Sequence, residues 1–297
     1  GLGNFFKRRA ARIIPPYYAA YFTFLLFWPA LAVFLRIFTI HFDDEIKLQQ
    51  TLPYTWHNIL AHLLLIHPFR SDWVRAPTGI FWTVGVEWHA YIIFALILIP
   101  LWRVVGIAGS LAAAFAIALA PVYLFPGFTY TNPWRLGLFA LGTAGAVVAF
   151  SPSPSWKRIY ERAPWGVVAL LATAGVVGLV LTRPYYYTGL LPQQKWQIDT
   201  MVGIVAVCGI LHLTRLHLKW KAGQPDAPKP LLLRLLDSKP LTAVGHVSYS
   251  LYLTHALVVI ALGRTLQLFR VNPVPFTLVM LLVGIPLCLV LAYLFYY

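Results

Sequence analysis

About eight stretches of this chain are apolar over the length needed to cross a bilayer, and that succession constrains the fold more than any other feature. A hydrocarbon core about 30 Å thick takes about 20 apolar helical residues. Runs of that kind fall near 13–35, 79–101, 104–124, 134–150, 165–182, 198–214, 241–263 and 274–297. Composition agrees, with 60% hydrophobic and 11% charged residues, against about half and about a quarter in soluble domains. The sequence therefore predicts an all-α polytopic transmembrane helix bundle of about eight spans, a single domain over 1–297. The stretch "TWHNILAHLLLIHPF" (55–69) is apolar but short, bounded by prolines, and carries three histidines. It reads as one interfacial or re-entrant helix rather than a crossing.

Charge sets the orientation. The chain holds 23 Lys and Arg against 9 Asp and Glu, an excess that suits nucleic acid only when gathered on one surface. Here the basic residues sit in short clusters between apolar runs, so no nucleic acid partner is expected. With "KRRAAR" (7–12) inside, alternation places Arg103, Lys157, Arg158, Arg162 and the basic stretch 215–239 on the same side, most of the 23. The acidic cluster Asp43, Asp44, Glu45 falls outside. By the positive-inside rule both visible ends are cytoplasmic in a multi-pass protein of the plasma membrane, a bacterial inner membrane being the natural setting. Cys208 and Cys288 lie within apolar runs and define no disulfide framework or thiol metal site. The sequence opens on Gly1 rather than Met and stops within "LVLAYLFYY", and is expected to be a piece of a longer protein.

An ionisable group inside an apolar run is the next feature that bears on function. In "FWTVGVEWHAYIIFALILIP" (81–100), Glu87 lies roughly 12 Å below the outer surface if the helix enters near Gly79. A carboxylate at that depth costs a few kcal/mol or more and must face a cavity or a partner. Thr83, Glu87 and Tyr91 recur at i, i+4, i+8 and share one face. A functional carboxylate and one fixed by an interhelical bond are equally consistent with this helix alone.

A second apolar run, "LTAVGHVSYSLYLTHALVVIALG" (241–263), puts Ser248, Tyr252 and His255 at i, i+4, i+7. It runs outward, placing His255 roughly 21 Å into the core, at a depth similar to Glu87. The two are candidate partners, since a carboxylate favours the charged imidazole and the pair can serve as acid or base. The bland alternative is two satisfied core residues on unrelated helices. Arg135, opening "RLGLFALG" from the same side, either joins them or snorkels to the interface.

The cluster Arg8, Arg9 and Arg12 stands at the inner mouth of the first run, with Arg9 and Arg12 on one face if the helix starts before Pro15. Guanidinium forks suit phosphate oxygens, but juxtamembrane Arg also sets topology and meets anionic lipid, and position alone favours that simpler role. Histidines 41, 57, 62 and 67 raise the question of a metal. Spacings of five do not stack on one helical face and no carboxylate is interleaved among the last three, so no metal site is expected. The small residues of "GIAGSLAAAF" (106–115) suit close helix packing.

These residues resemble membrane acyltransferase family 3, O-acyltransferases that mostly modify surface polysaccharides and related glycans. The family's basic R-x-x-R before a span is similar to "RRAARIIPPY", with Arg9 and Arg12 in the paired places. Its Trp-Ser/Thr-x-x-x-Glu helix followed by Tyr is similar to "FWTVGVEWHAY", and its Ser-Tyr-x-x-Tyr-Leu-x-His signature to "VSYSLYLTH". "RLGLFALG" resembles a further family segment, and the motifs occur in the family's order. The resemblance implies about ten helices in the intact protein, the eight seen here and two before Gly1. It also implies a cytoplasmic acyl-CoA co-substrate, acetyl-CoA as first choice, with no bound cofactor, and a glycan or lipid-linked saccharide acceptor on the far side. In it Arg9 and Arg12 meet the CoA phosphates, and Glu87 and His255 lie in the passage where the acyl group meets the acceptor; we therefore expect Arg8, Arg9 and Arg12 to bind acyl-CoA and Glu87 and His255 to be catalytic. Thr83, Tyr91, Arg135, Ser248 and Tyr252 line the cavity. Three departures stand out. The family's first helix, with the Arg and the His taken as catalytic base, has no counterpart after Gly1; Gly85 replaces a common Ser; and Thr254 replaces a Trp. The expected function is acyl transfer from a cytoplasmic thioester to a hydroxyl, the fragment alone being a candidate for inactivity. The alternatives are a polytopic transporter, since intramembrane ionisable residues also mark transport pathways, and a noncatalytic remnant of the enzyme.

Overall fold

The computed structural model describes residues 1–37, 55–74, 76–125, 131–182, 195–223 and 229–297. His41 and the Asp43, Asp44, Glu45 cluster lie outside them. Every apolar run read from the sequence is helical, and the described residues contain no strand. The helices are α1 (Leu2–Ile37), α2 (Trp56–Leu63), α3 (Trp82–Ile93), α4 (Ile99–Leu124), α5 (Arg135–Phe150), α6 (Pro154–Arg162) and α7 (Trp165–Thr182). They continue as α8 (Lys195–Ala222), α9 (Leu231–Leu236), α10 (Lys239–Leu268), α11 (Pro273–Val279) and α12 (Ile285–Tyr296). A helix satisfies its own backbone, which is what permits an apolar segment to leave water. By length and composition four helical stretches suffice to cross a membrane, Lys195–Ala222, Lys239–Gln267, Pro273–Tyr296 and Trp82–Leu124, the last of which turns back at Gly106. The pair α5 and α6, bent by 99°, makes a fifth if counted as one span, and Trp165–Leu181 is a shorter apolar helix. Side chains such as Val104, Leu170 and Leu282 are more than two-thirds exposed, as lipid-facing positions must be.

The chain divides into two compact units, Gly1–Gly85 with Leu236–Tyr297, and Val86–Leu235. The boundary falls inside α3. In the first unit α10 packs against α1 and α12, and Tyr249 Oη donates to the Ile13 carbonyl at 3.2 Å. The segment 55–81 is not one helix. Helix α2 is capped by Thr55, ends at Leu63, and gives way at Leu65 to a left-handed turn (φ 59°) and a 3-10 turn over His67–Phe69. Donors from α1 hold this irregular backbone. Tyr17 Oη donates to the His62 carbonyl at 3.3 Å, Tyr18 Oη to that of Leu63, and Trp28 Nε1 to that of Pro77 at 2.8 Å.

In the second unit the runs 86–105 and 107–124 form an antiparallel hairpin. Gly106 (φ 74°, ψ 176°) makes the reversal, in a region open essentially to glycine alone. Past it, Ser110 Oγ donates to the Leu98 carbonyl at 3.0 Å, a pairing that a straight helix would hold roughly 18 Å apart. Ala90, Leu98, Ala114, Ala118, Leu136 and Ala140 form one buried cluster. Of the small residues in 106–115, Ser110 and Ala114 are buried in this packing, whereas Gly106, Ala108 and Ala112 are exposed. Between α3 and α4 a π-helical turn spans Phe94–Leu98, and a second spans Met280–Gly284 between α11 and α12.

Candidate functional site

Helix α10 supplies the imidazole. His255 is half-buried, and its Nδ1 lies 2.8 Å from the Tyr252 carbonyl and 3.2 Å from that of Leu251. A carbonyl only accepts, so Nδ1 carries the proton and Nε2 keeps its lone pair. Tyr252, three residues earlier, turns to the start of α3. Its Oη donates to the Ile80 carbonyl at 2.6 Å and meets the Thr83 hydroxyl, which also reaches Ile80 at 3.2 Å. The predicted residues Thr83 and Tyr252 are therefore brought together, both donating to the Ile80 carbonyl just ahead of α3. Ser248 is exposed and its hydroxyl is committed to Gly245 of its own helix at 2.8 Å. Thr254, where a Trp is common, is 1% exposed with its hydroxyl on Ser250.

Glu87 lies in the second unit and is half-buried. Tyr91 Oη, one turn along, donates to its Oε1 at 2.8 Å, the i, i+4 contact that the stripe predicts. Arg135 begins α5 with an exposed side chain. Beside it, Trp134 is fully buried and donates Nε1–H to Asp199 Oδ2 of α8 at 2.7 Å. Asp199 is a second carboxylate in an apolar run that the motif reading passes over; a lone acid near the start of the 198–214 run was its signal.

At the other end of the first unit, α1 begins at Leu2, so Arg8, Arg9 and Arg12 are helical and the condition for a shared face is met. Arg8 and Arg12 are exposed, while Arg9 is half-buried with its guanidinium 5.8 Å from the Phe5 ring. Gly85 is explained by its neighbours. A Cβ there would lie 2.4 Å from Pro68 Cγ and 3.0 Å from His67 Cε1, so the 3-10 turn needs the missing side chain.

Sequence reasoning also misses the histidine stack. Because the chain turns at Leu65, the His62 and His67 rings lie face to face, centroids 4.1 Å apart and 8° from parallel. Tyr21 stacks on His62 at 4.9 Å and Tyr17 lies parallel to His67 at 6.1 Å. His62 Nδ1–H donates to the Asn58 carbonyl and His67 Nε2–H to that of Phe81. Burial pushes the His62 pKa down to about 4, against backbone bonds with Asn58 and Ala76 that raise it. Stacked rings do not converge their nitrogens on one point, and among the described residues no three His, Cys, Asp or Glu are grouped to hold a metal.

Long apolar helices with lipid-exposed faces and polar side chains turned inward define a multi-pass integral membrane protein. A family model described as an acyltransferase domain matches residues 1–293, nearly the whole chain, which therefore belongs to membrane acyltransferase family 3 and is an acyltransferase. That membership sets aside the transporter reading. No match emerges among curated proteins or solved structures.

Proposed function

We propose that this acyltransferase moves an acetyl or other acyl group from cytoplasmic acyl-CoA to a hydroxyl of an extracytoplasmic glycan or lipid-linked saccharide. The observation that carries the chemistry is the commitment of His255 Nδ1–H to its own helix, which leaves Nε2 as a base. The resemblance puts the family's base on a helix before Gly1; within this chain we assign to His255 Nε2 the acceptor's hydroxyl proton, taken while that oxygen attacks the thioester carbonyl. The tetrahedral oxyanion collapses, the carbon–sulfur bond breaks, and the proton returns to the CoA sulfur. Glu87, whose Oε1 accepts from Tyr91 Oη, is the second group we assign to catalysis. Arg8, Arg9 and Arg12 meet the CoA phosphates at the N-terminal turns of α1, which supports a cytoplasmic N-terminus and a plasma-membrane location.

The test is transfer of label from acetyl-CoA to surface glycan in membranes holding the intact protein. His255→Gln and Glu87→Gln should each lower the rate by about a hundredfold or more, with protein level unchanged. Arg9→Gln with Arg12→Gln should instead raise the KM for acyl-CoA. Wild-type rates in both single variants would remove these residues from the chemistry.

A further inference from the structure

A cavity of about 610 Å³ opens in the second unit between the end of α5, helix α6 and the last turns of α8. Three cations line it, Lys157, Arg215 and Lys219, against one carboxylate, Glu161. The guanidinium of Arg215 is fixed in place. Its Nη1 donates to the carbonyls of Tyr160, Glu161 and Ala163 at 3.2, 3.0 and 2.8 Å, capping the C-terminal end of α6. That contact uses one nitrogen of the fork. Lys157 and Lys219 are exposed and form no ion pair among the described residues.

The second observation is Tyr160. This residue is 8% exposed, lines the same cavity, and its buried hydroxyl has no hydrogen-bond partner. A buried hydroxyl beside surplus positive charge is satisfied by an anionic oxygen.

The source of that oxygen follows from the helix. Because α6 is bent 99° from α5, it lies along the membrane surface when α5 crosses it, and its sequence "PSWKRIYER" has the basic, Trp-bearing character of an interfacial helix. Phe150 and Leu218 present apolar surface at the cavity, 74% and 46% exposed. We infer that this cavity binds the phosphate of an anionic phospholipid headgroup, with Lys157, Lys219 and Arg215 facing its charge and Tyr160 donating to it. Its acyl chains lie against Phe150 and Leu218. By the positive-inside reading the lipid belongs to the cytoplasmic leaflet.

The experiment measures binding to the purified full chain by native mass spectrometry, with phosphatidylglycerol, phosphatidylcholine and inorganic phosphate as separate probes. Phosphatidylglycerol should bind and phosphatidylcholine should not. Lys157→Gln should weaken phosphatidylglycerol about fivefold, and the double variant with Lys219→Gln about thirtyfold. Tyr160→Phe should weaken it about fivefold while leaving the lipid-free melting temperature unchanged or higher, an outcome that a purely structural hydroxyl does not give. Equal phosphatidylglycerol affinity in wild type and the double variant overturns the site. Saturation by inorganic phosphate as tight as by the lipid assigns the cavity to a soluble phosphate and overturns the headgroup.

Discussion

The two units are built by opposite means. The first is held by polar tips reaching irregular backbone, Tyr17 to His62, Trp28 to Pro77, His67 to Phe81 and Tyr252 to Ile80. Buried inside it are Asn58, His62, His67, Thr78, Ser250 and Thr254. The second closes on a cluster of alanines and leucines, with Ser110 and Thr131 its buried polar residues among those described. The difference follows from what each must accommodate. Non-helical backbone shut away from water needs donors from protein, whereas regular helices need only a close approach. The first unit should therefore respond to lost hydrogen bonds and to protonation, and the second to added volume or backbone strain.

Acid offers the largest test of that contrast. With its pKa lowered from 6.5 to about 4 in the fold, His62 binds a proton more readily when unfolded. Its contribution is complete above about pH 6.5 and declines toward about pH 4, a loss of about 3 kcal/mol over the window. Thermal unfolding in detergent should show this slope, and His62→Leu should flatten it. A slope that survives in His62→Leu unchanged would show that the stack does not carry the acid sensitivity.

A smaller effect is expected at Gly106. No atom lies near a Cβ built there, so Gly106→Ala isolates backbone strain and should cost about 1–3 kcal/mol, read as a lowered unfolding midpoint at constant pH. A neutral result would mean that the hairpin turn tolerates another conformation. The smallest of the three is Tyr17→Phe, which removes one donor while the His62 carbonyl keeps its bond from the Leu65 amide. It should cost about 1 kcal/mol. Stabilisation instead would reverse the claim that hydroxyl tips hold the first unit.

The helices were legible in the sequence because hydropathy alone decides which segments can leave water, and each apolar run is helical as read. The chain reversal between the second and third runs was legible as well, though not the residue that makes it. What escaped lies where tertiary contacts override local pattern. The stretch 55–69 reads as one helix until Leu65 adopts a left-handed turn, and only then do His62 and His67, five apart, share a stack. Arg215 and Tyr160 are more than fifty positions apart and meet through the fold of α6 against α8. The Thr83–Glu87–Tyr91 stripe was legible from helical spacing, and the Tyr91–Glu87 bond follows from it. That Thr83 turns instead to Tyr252 depends on a neighbouring helix.

The wide turn at Phe94–Leu98 has a consequence for reading this helix by rhythm. Such a turn inserts an extra residue into the winding, so a face followed in steps of four from Thr83 is valid through Tyr91 and then rotates away. Labels introduced one by one along 82–105 should keep a single phase of solvent accessibility up to Ile93 and a displaced phase beyond it. An alignment that carries one unbroken phase across the turn will assign its later side chains to the wrong side.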